Sequence, residues 1–209
     1  MANRNTSGFG LQQSMTAGNT PATQGQSKYQ IDAGETNAIY NGEPVTIDIS
    51  ATTGGYIVTA GAGTIMTGTL NGVFYTAATT LKPTWSNYYP AATTPANSED
   101  VTAFVNDSPI QEFVIGTNAT LGATLALRKS KIGLTYATSA VAGSTSTGKS
   151  SITLDISSAA TTAKQLRLVR VAEDPENDDQ TAAYCSVIVK VNLHLYLTCL
   201  LYTSPSPRD

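Results

Sequence analysis

The fold class is decided by AIYNGEPVTIDIS at residues 38–50, GGYIVTAGAGTIMTGTLNGVFYT at residues 54–76 and VTAFVNDSP at residues 101–109. In these three stretches, short apolar groups alternate with polar residues and are separated by Gly, Asn and Pro. This pattern is typical of short strands joined by tight turns. Asn71-Gly72 predicts a two-residue β-hairpin, because both residue types accept the positive φ angles of that turn.

The same period of two continues towards the C-terminus. CSVIVKVNLHLYL at residues 185–197 has apolar residues at its odd positions, which predicts one long strand with a buried face and a solvated face. His194 falls on the solvated face of that strand. Residues 152–156 alternate in the same way and predict another strand. Since no segment combines a sustained helical stripe with capping residues, we predict an all-β fold of small antiparallel β-barrel or β-sandwich domains.

Composition along the chain divides it into four parts. Residues 1–30 are rich in Asn, Thr, Gly, Gln and Ser and predict an extended N-terminal arm that orders on a partner. Residues 31–115 form the first β domain, and residues 116–198 form a second β region that could be continuous with it. Residues 199–209 read CLLYTSPSPRD, which looks like the translation of a sequencing adapter in metagenomic DNA and is not expected to be native.

Composition also excludes several classes of function. Charged residues make up 13% of the 209 residues, about half the usual share, and the net charge is only −3. Such a chain lacks the clustered Lys and Arg that nucleic-acid binding needs. No run is long enough to span a membrane, and the first fifteen residues lack the apolar region of a signal peptide, so we expect synthesis in the cytoplasm. With Cys199 assigned to the adapter, Cys185 is alone and a disulfide scaffold is excluded.

Three motifs could carry chemistry, and each has a simpler explanation. GSTSTGKS at residues 143–150 fits the phosphate-binding loop pattern, but a strand-like segment follows where a helix is needed. His194 is the only histidine, so any His-based metal site or catalytic triad would depend on it. Residues 173–179, EDPENDD, could bind calcium but lack the register of a calcium loop. We therefore predict no enzymatic activity and no catalytic, cofactor-binding or metal-binding residues.

Several segments carry a resemblance to a known family. They are the three stretches quoted above together with TPATQGQSKYQID at residues 20–32, KPTWSNYYP at residues 82–90 and RLVRVAEDPENDD at residues 167–179. In these segments the chain resembles the head decoration, or capsid cement, proteins of tailed bacteriophages, particularly of marine phages. It departs from the family pattern at Asn106-Asp107-Ser108-Pro109, where an acidic pair before Pro is expected.

The resemblance implies a non-enzymatic structural protein of the virion, located on the capsid surface. Its partner would be the major capsid protein, and it would act as a homo-oligomer, with a trimer favoured. We expect the arm to contact the capsid through its isolated apolar residues, which are Phe9, Leu11, Met15 and Tyr29. Deleting residues 2–27 should then leave the β core folded and prevent capsid binding.

An alternative function is carbohydrate or receptor binding, as in a head fibre or an adhesin. Trp85, Tyr88 and Tyr89 are close together in the sequence and could form a platform on which sugar rings stack. The competing interpretation is that these side chains pack in the core or between subunits.

Overall fold

A computed structural model describes residues 3, 5–16, 20–21, 25–50, 54–161, 163–176 and 179–197, without the side chains of residues 20 and 21. It confirms the all-β class, with two antiparallel sheets. The strands are β1 (Gln12–Thr16), β2 (Thr20–Pro21), β3 (Gln26–Ile31), β4 (Pro44–Ile47), β5 (Ile57–Thr59), β6 (Gly68–Thr76), β7 (Pro83–Ser86), β8 (Val101–Asn106), β9 (Gln111–Gly116), β10 (Thr135–Tyr136), β11 (Leu166–Val171) and β12 (Ser186–Val191). One α-helix, α1 (Leu125–Lys131), and two 3-10 turns at Ala96–Ser98 and Ile156–Ser158 complete the described elements. None of the described helices is long and apolar enough to cross a membrane.

Sheet 1 is built from the sequence stretches that decided the fold class. Its strand order is β3-β8-β6-β4-β5, and β7 pairs with the far half of β6 on the same side as β4. The predicted alternation at Val101, Ala103 and Val105 is confirmed, since all three side chains are fully buried. They join Ile31, Leu70 and the rest of one apolar cluster on the inner face of the sheet.

Sheet 2 has the strand order β10-β11-β12-β9-β1-β2. Strand β9 lies between β12 and β1, with Phe113 opposite both Val189 and Gln13. Phe113, Val189 and Leu11 belong to the second apolar cluster, which also takes in Ile152 and Leu154. Each sheet therefore has its own core, as expected when alternating strands bury one face.

The predicted domain limits shift because of this arrangement. Strand β9 was assigned to the first domain, 31–115, but it pairs with β12 and β1 and belongs to sheet 2. The chain passes from sheet 1 to sheet 2 in the turn at 107–110. The predicted adapter at 199–209 lies outside the described residues.

The N-terminal segment differs from the extended arm that we predicted. Strand β1 pairs with β9 in sheet 2, and strand β3 pairs with β8 along its whole length in sheet 1. Residues 1–30 thus contribute strands to both sheets of their own chain. Composition pointed to an arm because the segment has few apolar residues, but β pairing satisfies the backbone and needs only a few of them.

Asn71-Gly72 does not form the predicted hairpin. The pair lies inside β6, where the register with β8 shifts between Leu70 and Gly72, as in a β-bulge. Glycine is required here for a close approach, because a Cβ at Gly72 would lie 2.5 Å from Cζ2 of Trp85 on β7. The hairpin prediction was wrong because glycine in a strand can also serve packing.

The long predicted strand at 185–197 ends early. Strand β12 stops at Val191, and Leu193 and Leu195 instead hydrogen-bond to Met66, which lies just before β6 (Met66 N to Leu193 O, 3.0 Å; Leu195 N to Met66 O, 2.9 Å). The residues after β12 thereby connect sheet 2 to sheet 1. This turn buries His194, so its prediction as a solvated residue was wrong.

Candidate interaction surfaces

The four predicted capsid anchors do not form one surface. Leu11 is only 2% exposed and belongs to the core of sheet 2, so it cannot contact a partner. Phe9 is half-buried against Gly116. Tyr29 is half-buried, and its hydroxyl donates to Asp107 Oδ2 (2.8 Å) and lies 2.7 Å from the Tyr196 hydroxyl. Met15 is the accessible member of the four, with 40% of its surface exposed.

Met15 lies beside a shallow depression of about 560 Å³ on the outer face of sheet 2. Val114 on β9 and Ile188 on β12, which are opposite each other in register, contribute apolar side chains to it. Ile110, which is 51% exposed, precedes β9 at the end where Gln111 pairs with Thr16 of β1. This part of the outer face therefore carries apolar side chains where an alternating strand would ordinarily present polar residues to solvent, and Ser14, Arg170 and Glu173 line the depression beside them.

One ion pair lies beside this depression. Arg170 Nη1 lies 3.1 Å from Oε2 of Glu112, and the Glu112 side chain is almost completely buried. Breaking such a pair by removing one partner is costly, since it leaves an uncompensated charge out of water. Among the described lining residues Glu173 is the other charged one. The lining thus combines the apolar Met15, Val114 and Ile188 with polar and charged side chains.

A second exposed apolar surface lies on the outer face of sheet 1. Trp85 on β7 is 53% exposed and Phe74 on β6, its register partner, is 43% exposed. The Trp85 ring also lies 5.2 Å from the Phe104 ring of β8, at an interplanar angle of 54°. It reaches Phe104 by crossing Gly72, where there is no side chain. Three strands thus place aromatic rings next to each other.

The predicted platform of Trp85, Tyr88 and Tyr89 is not present. Tyr89 is fully buried, and its hydroxyl donates to the Glu35 carbonyl (3.2 Å). Tyr88 stacks on Tyr40, with ring centroids 5.5 Å apart and nearly parallel rings. Sequence reasoning missed Phe74 and Phe104. Phe104 could have been found, because it lies between Ala103 and Val105, which the alternation predicts to be buried, and must therefore face outwards.

The stretch 143–150 closes on itself and does not form a phosphate-binding loop. Ser144 N donates to Lys149 O (2.9 Å), and Gly148 N donates to Ser144 O (2.7 Å). These backbone donors are the groups that would otherwise bind phosphate. In the described residues directly after Ser150, at 151–155, there is no helix, so the helix that a phosphate-binding loop needs is missing there.

Within the described part of the chain, the side chains that could act in catalysis, such as the single histidine and the free cysteine, are buried or lie apart from one another. Cys185 is a buried free cysteine. Burial lowers the pKa of His194, although a hydrogen bond to the Asp107 carbonyl opposes this effect. The described residues contain no group of three or more His, Cys, Asp or Glu side chains that could hold a metal ion. In the acidic stretch 173–179, residues 177 and 178 lie outside the described residues.

Burial also raises the pKa of Tyr29, and its bonds to Tyr196 and Asp107 add to this effect. The phenol therefore remains a neutral donor that links β3 to the turn after β8 and to the C-terminal segment. This role explains why a residue predicted to bind a partner is instead part of the protein's own structure.

Comparison with protein-family models, with curated proteins and with solved structures finds no match to this chain.

Proposed function

We propose that this chain is a non-enzymatic structural protein of a tailed-phage virion that decorates and stabilises the capsid. The observation that carries the proposal is a group of apolar side chains on the outer side of sheet 2. Met15 is exposed beside the depression that Val114 and Ile188 line, and Ile110 is exposed just before β9. The resemblance of several segments to capsid cement proteins supports the same function.

The physical argument concerns the cost of removing surface from water. Interface cores are depleted in charged residues and contain apolar anchors, because charge is costly to desolvate. At this surface, Arg170 and Glu112 are already paired within the chain, so a partner need not neutralise them. A side chain of the major capsid protein could fill the depression between Met15, Val114 and Ile188 at little electrostatic cost.

Deletion of residues 2–27 is not a clean test of this proposal. It would remove Leu11 from the core and β1 from its place beside β9, so loss of binding could simply reflect unfolding. Substitution of the exposed side chains avoids this problem.

The experiment uses particles assembled from a tailed-phage major capsid protein. Purified chain is mixed with these particles and sedimented, and the bound fraction is measured. Wild type should co-sediment, and M15D/I110D should bind about tenfold more weakly or worse, because each aspartate must be desolvated in the contact. The matched control is Ile49→Asp, which alters an exposed isoleucine after β4 of sheet 1 and should bind like wild type.

Circular dichroism verifies that each variant is folded. Sedimentation of the chain alone gives its mass, for which we expect a homo-oligomer, with a trimer favoured. If wild-type chain stays in the supernatant with intact particles, or if M15D/I110D binds as tightly as wild type, this proposal is wrong.

A further inference from the structure

We propose a saccharide-binding site on the outer face of sheet 1, with Trp85 and Phe104 as a stacking surface and Lys28, Gln30 and Thr102 as its polar wall. The site is on a different sheet from the proposed capsid contact. It would give the protein a second function, binding glycans.

The stacking surface is held in place by the strands beneath it. Trp85 extends over Gly72, where a Cβ would lie 2.5 Å from Cζ2 and 3.0 Å from Cη2 of the indole. Phe104 supports the indole from β8 at 5.2 Å, and Phe74 extends the aromatic surface along β6. An exposed tryptophan that is buttressed in this way loses little conformational entropy when a ligand covers it.

A shallow depression of about 430 Å³ is lined by Lys28, Tyr29, Gln30, Gly55 and Thr102, and Lys28 places it next to Phe104. The register explains why the two features are neighbours. Lys28 of β3 is opposite Phe104 of β8, and Gln30 is opposite Thr102 two residues along. Lys28 Nζ lies 6.0 Å from the centre of the Phe104 ring. An amine, an amide and a hydroxyl thus surround a depression of the size that small ligands occupy.

These polar side chains are available to a ligand. Within the part of the chain that the structure describes, the side chains of Lys28, Gln30 and Thr102 make no hydrogen bond to another residue of the chain. Together they offer donors and acceptors. A pyranose ring presents an apolar C–H face on one side and hydroxyl groups around its rim. The aromatic surface matches the first feature and the polar wall matches the second.

Size favours a sugar over a second protein copy. A large aromatic side chain has roughly 150–250 Å² of surface, so the exposed halves of Trp85 and Phe74 present roughly 200 Å² together. A stable protein interface needs about 800 Å² from each partner. The roughly 200 Å² of exposed aromatic surface is enough to cover one or two sugar rings. Lys28 is the one charged side chain among the lining residues, so neutral sugars and uronic acids both fit.

Trp85 makes a direct test possible, because it is the only tryptophan in the chain and is itself in the proposed site. Full-length protein is applied to an array of neutral and acidic oligosaccharides, and the best binders are titrated while tryptophan emission is recorded. We expect a saturable change in emission. In calorimetry, Trp85→Ala should weaken binding about tenfold or more, as expected for loss of a central aromatic contact.

The matched control is Tyr88→Ala, which removes an aromatic residue of the same segment that stacks on Tyr40 and does not line the depression, and it should bind like wild type. Lys28→Gln separates the two sugar classes, since it should weaken binding of uronic acids and spare neutral sugars. If no oligosaccharide binds wild type, or if Trp85→Ala binds as tightly as wild type, the site does not exist. Trp85→Ala should still bind capsid particles, and M15D/I110D should still bind sugar. These two measurements distinguish a failure of the saccharide site from a failure of the proposed capsid function.

Discussion

Leu11 and Met15 are four residues apart and were both predicted to contact the capsid, yet the structure gives them opposite environments. Leu11 packs in the core of sheet 2, whereas Met15 is exposed at the depression. Leu11→Ala should therefore lower the free energy of unfolding by about 2–5 kcal/mol, because it leaves a cavity. Met15→Ala should change it by no more than about 0.5 kcal/mol.

Urea denaturation followed by circular dichroism measures both values. Equal losses for Leu11→Ala and Met15→Ala would mean that the N-terminal segment does not pack as described. A large loss for Leu11 alone would also explain why the segment cannot behave as a free arm.

At the scale of single residues, the sequence predicted burial where alternation was regular and failed where the chain turns. Ala103 and Val105 are buried as predicted. His194 was placed on a solvated face by extending the period of β12 past Val191, but alternation carries no information about where a strand ends. Tyr89 looked like part of an aromatic platform because sequence proximity does not reveal which ring faces inwards.

At the scale of elements, β6 depends on a glycine that the sequence presented as a turn. In Gly72→Ala the new methyl group would overlap the Trp85 ring and approach the Ser86 carbonyl at 3.0 Å. We expect a loss of about 1–3 kcal/mol in unfolding free energy, which is typical of overpacking, together with a shift of tryptophan emission as the indole is displaced. Gly25→Ala is the control, since a Cβ there meets nothing within 4 Å.

Urea denaturation and tryptophan emission spectra of Gly72→Ala and Gly25→Ala test this prediction. A Gly72→Ala protein that matches Gly25→Ala in both stability and emission would show that the indole does not lie over β6.

Two other elements show what local patterns do and do not specify. Residues 152–156 alternate and bury Ile152, Leu154 and Ile156, yet they form no strand, because their backbone bonds go to separate segments such as Gly10 and Gly116. Helix α1 was not predicted, because it buries none of its residues and so has no apolar stripe. Its N-cap is Thr124, whose hydroxyl accepts from Leu127 N, and this capping signal is short and local.

At the scale of the whole molecule, the sequence predicted two β regions but not how they are joined. The junction uses residues distant in sequence, in which the C-terminal segment after β12 bonds to Met66 and to the turn after β8. Such contacts are set by the final packing of both sheets and leave no periodic trace in the sequence. The candidate surfaces were missed for the same reason, since each combines residues from three or four strands.

His194 lies in this junction, and its two ring nitrogens are both engaged. Tyr196 N donates to Nδ1 (3.2 Å), which places the ring proton on Nε2, where it faces the Asp107 carbonyl (3.1 Å). A second proton on Nδ1 would meet the Tyr196 N–H, so protonation should break the link between the C-terminal segment and sheet 1. Burial lowers the His194 pKa below its ordinary value of about 6.5 and favours the same neutral form.

The resulting dependence on pH has a definite sign. Below about pH 6.5 the unfolded chain binds a proton at His194 that the folded chain resists, so the His194 contribution to the free energy of unfolding should fall as the pH is lowered from 7 to 5. Burial raises the pKa of Glu43, which acts in the opposite sense but is present in both wild type and His194→Gln. His194→Gln should be less stable at pH 7 and should vary less over this interval, as measured by urea denaturation at each pH. Asp155 and Asp179, whose pKa values are lowered by hydrogen bonds to Ser157 and Thr181, titrate below this interval and are the same in both proteins. If the free energy of unfolding varies with pH in the same way for wild type and His194→Gln, protonation of His194 does not affect the stability of the contact between the two sheets.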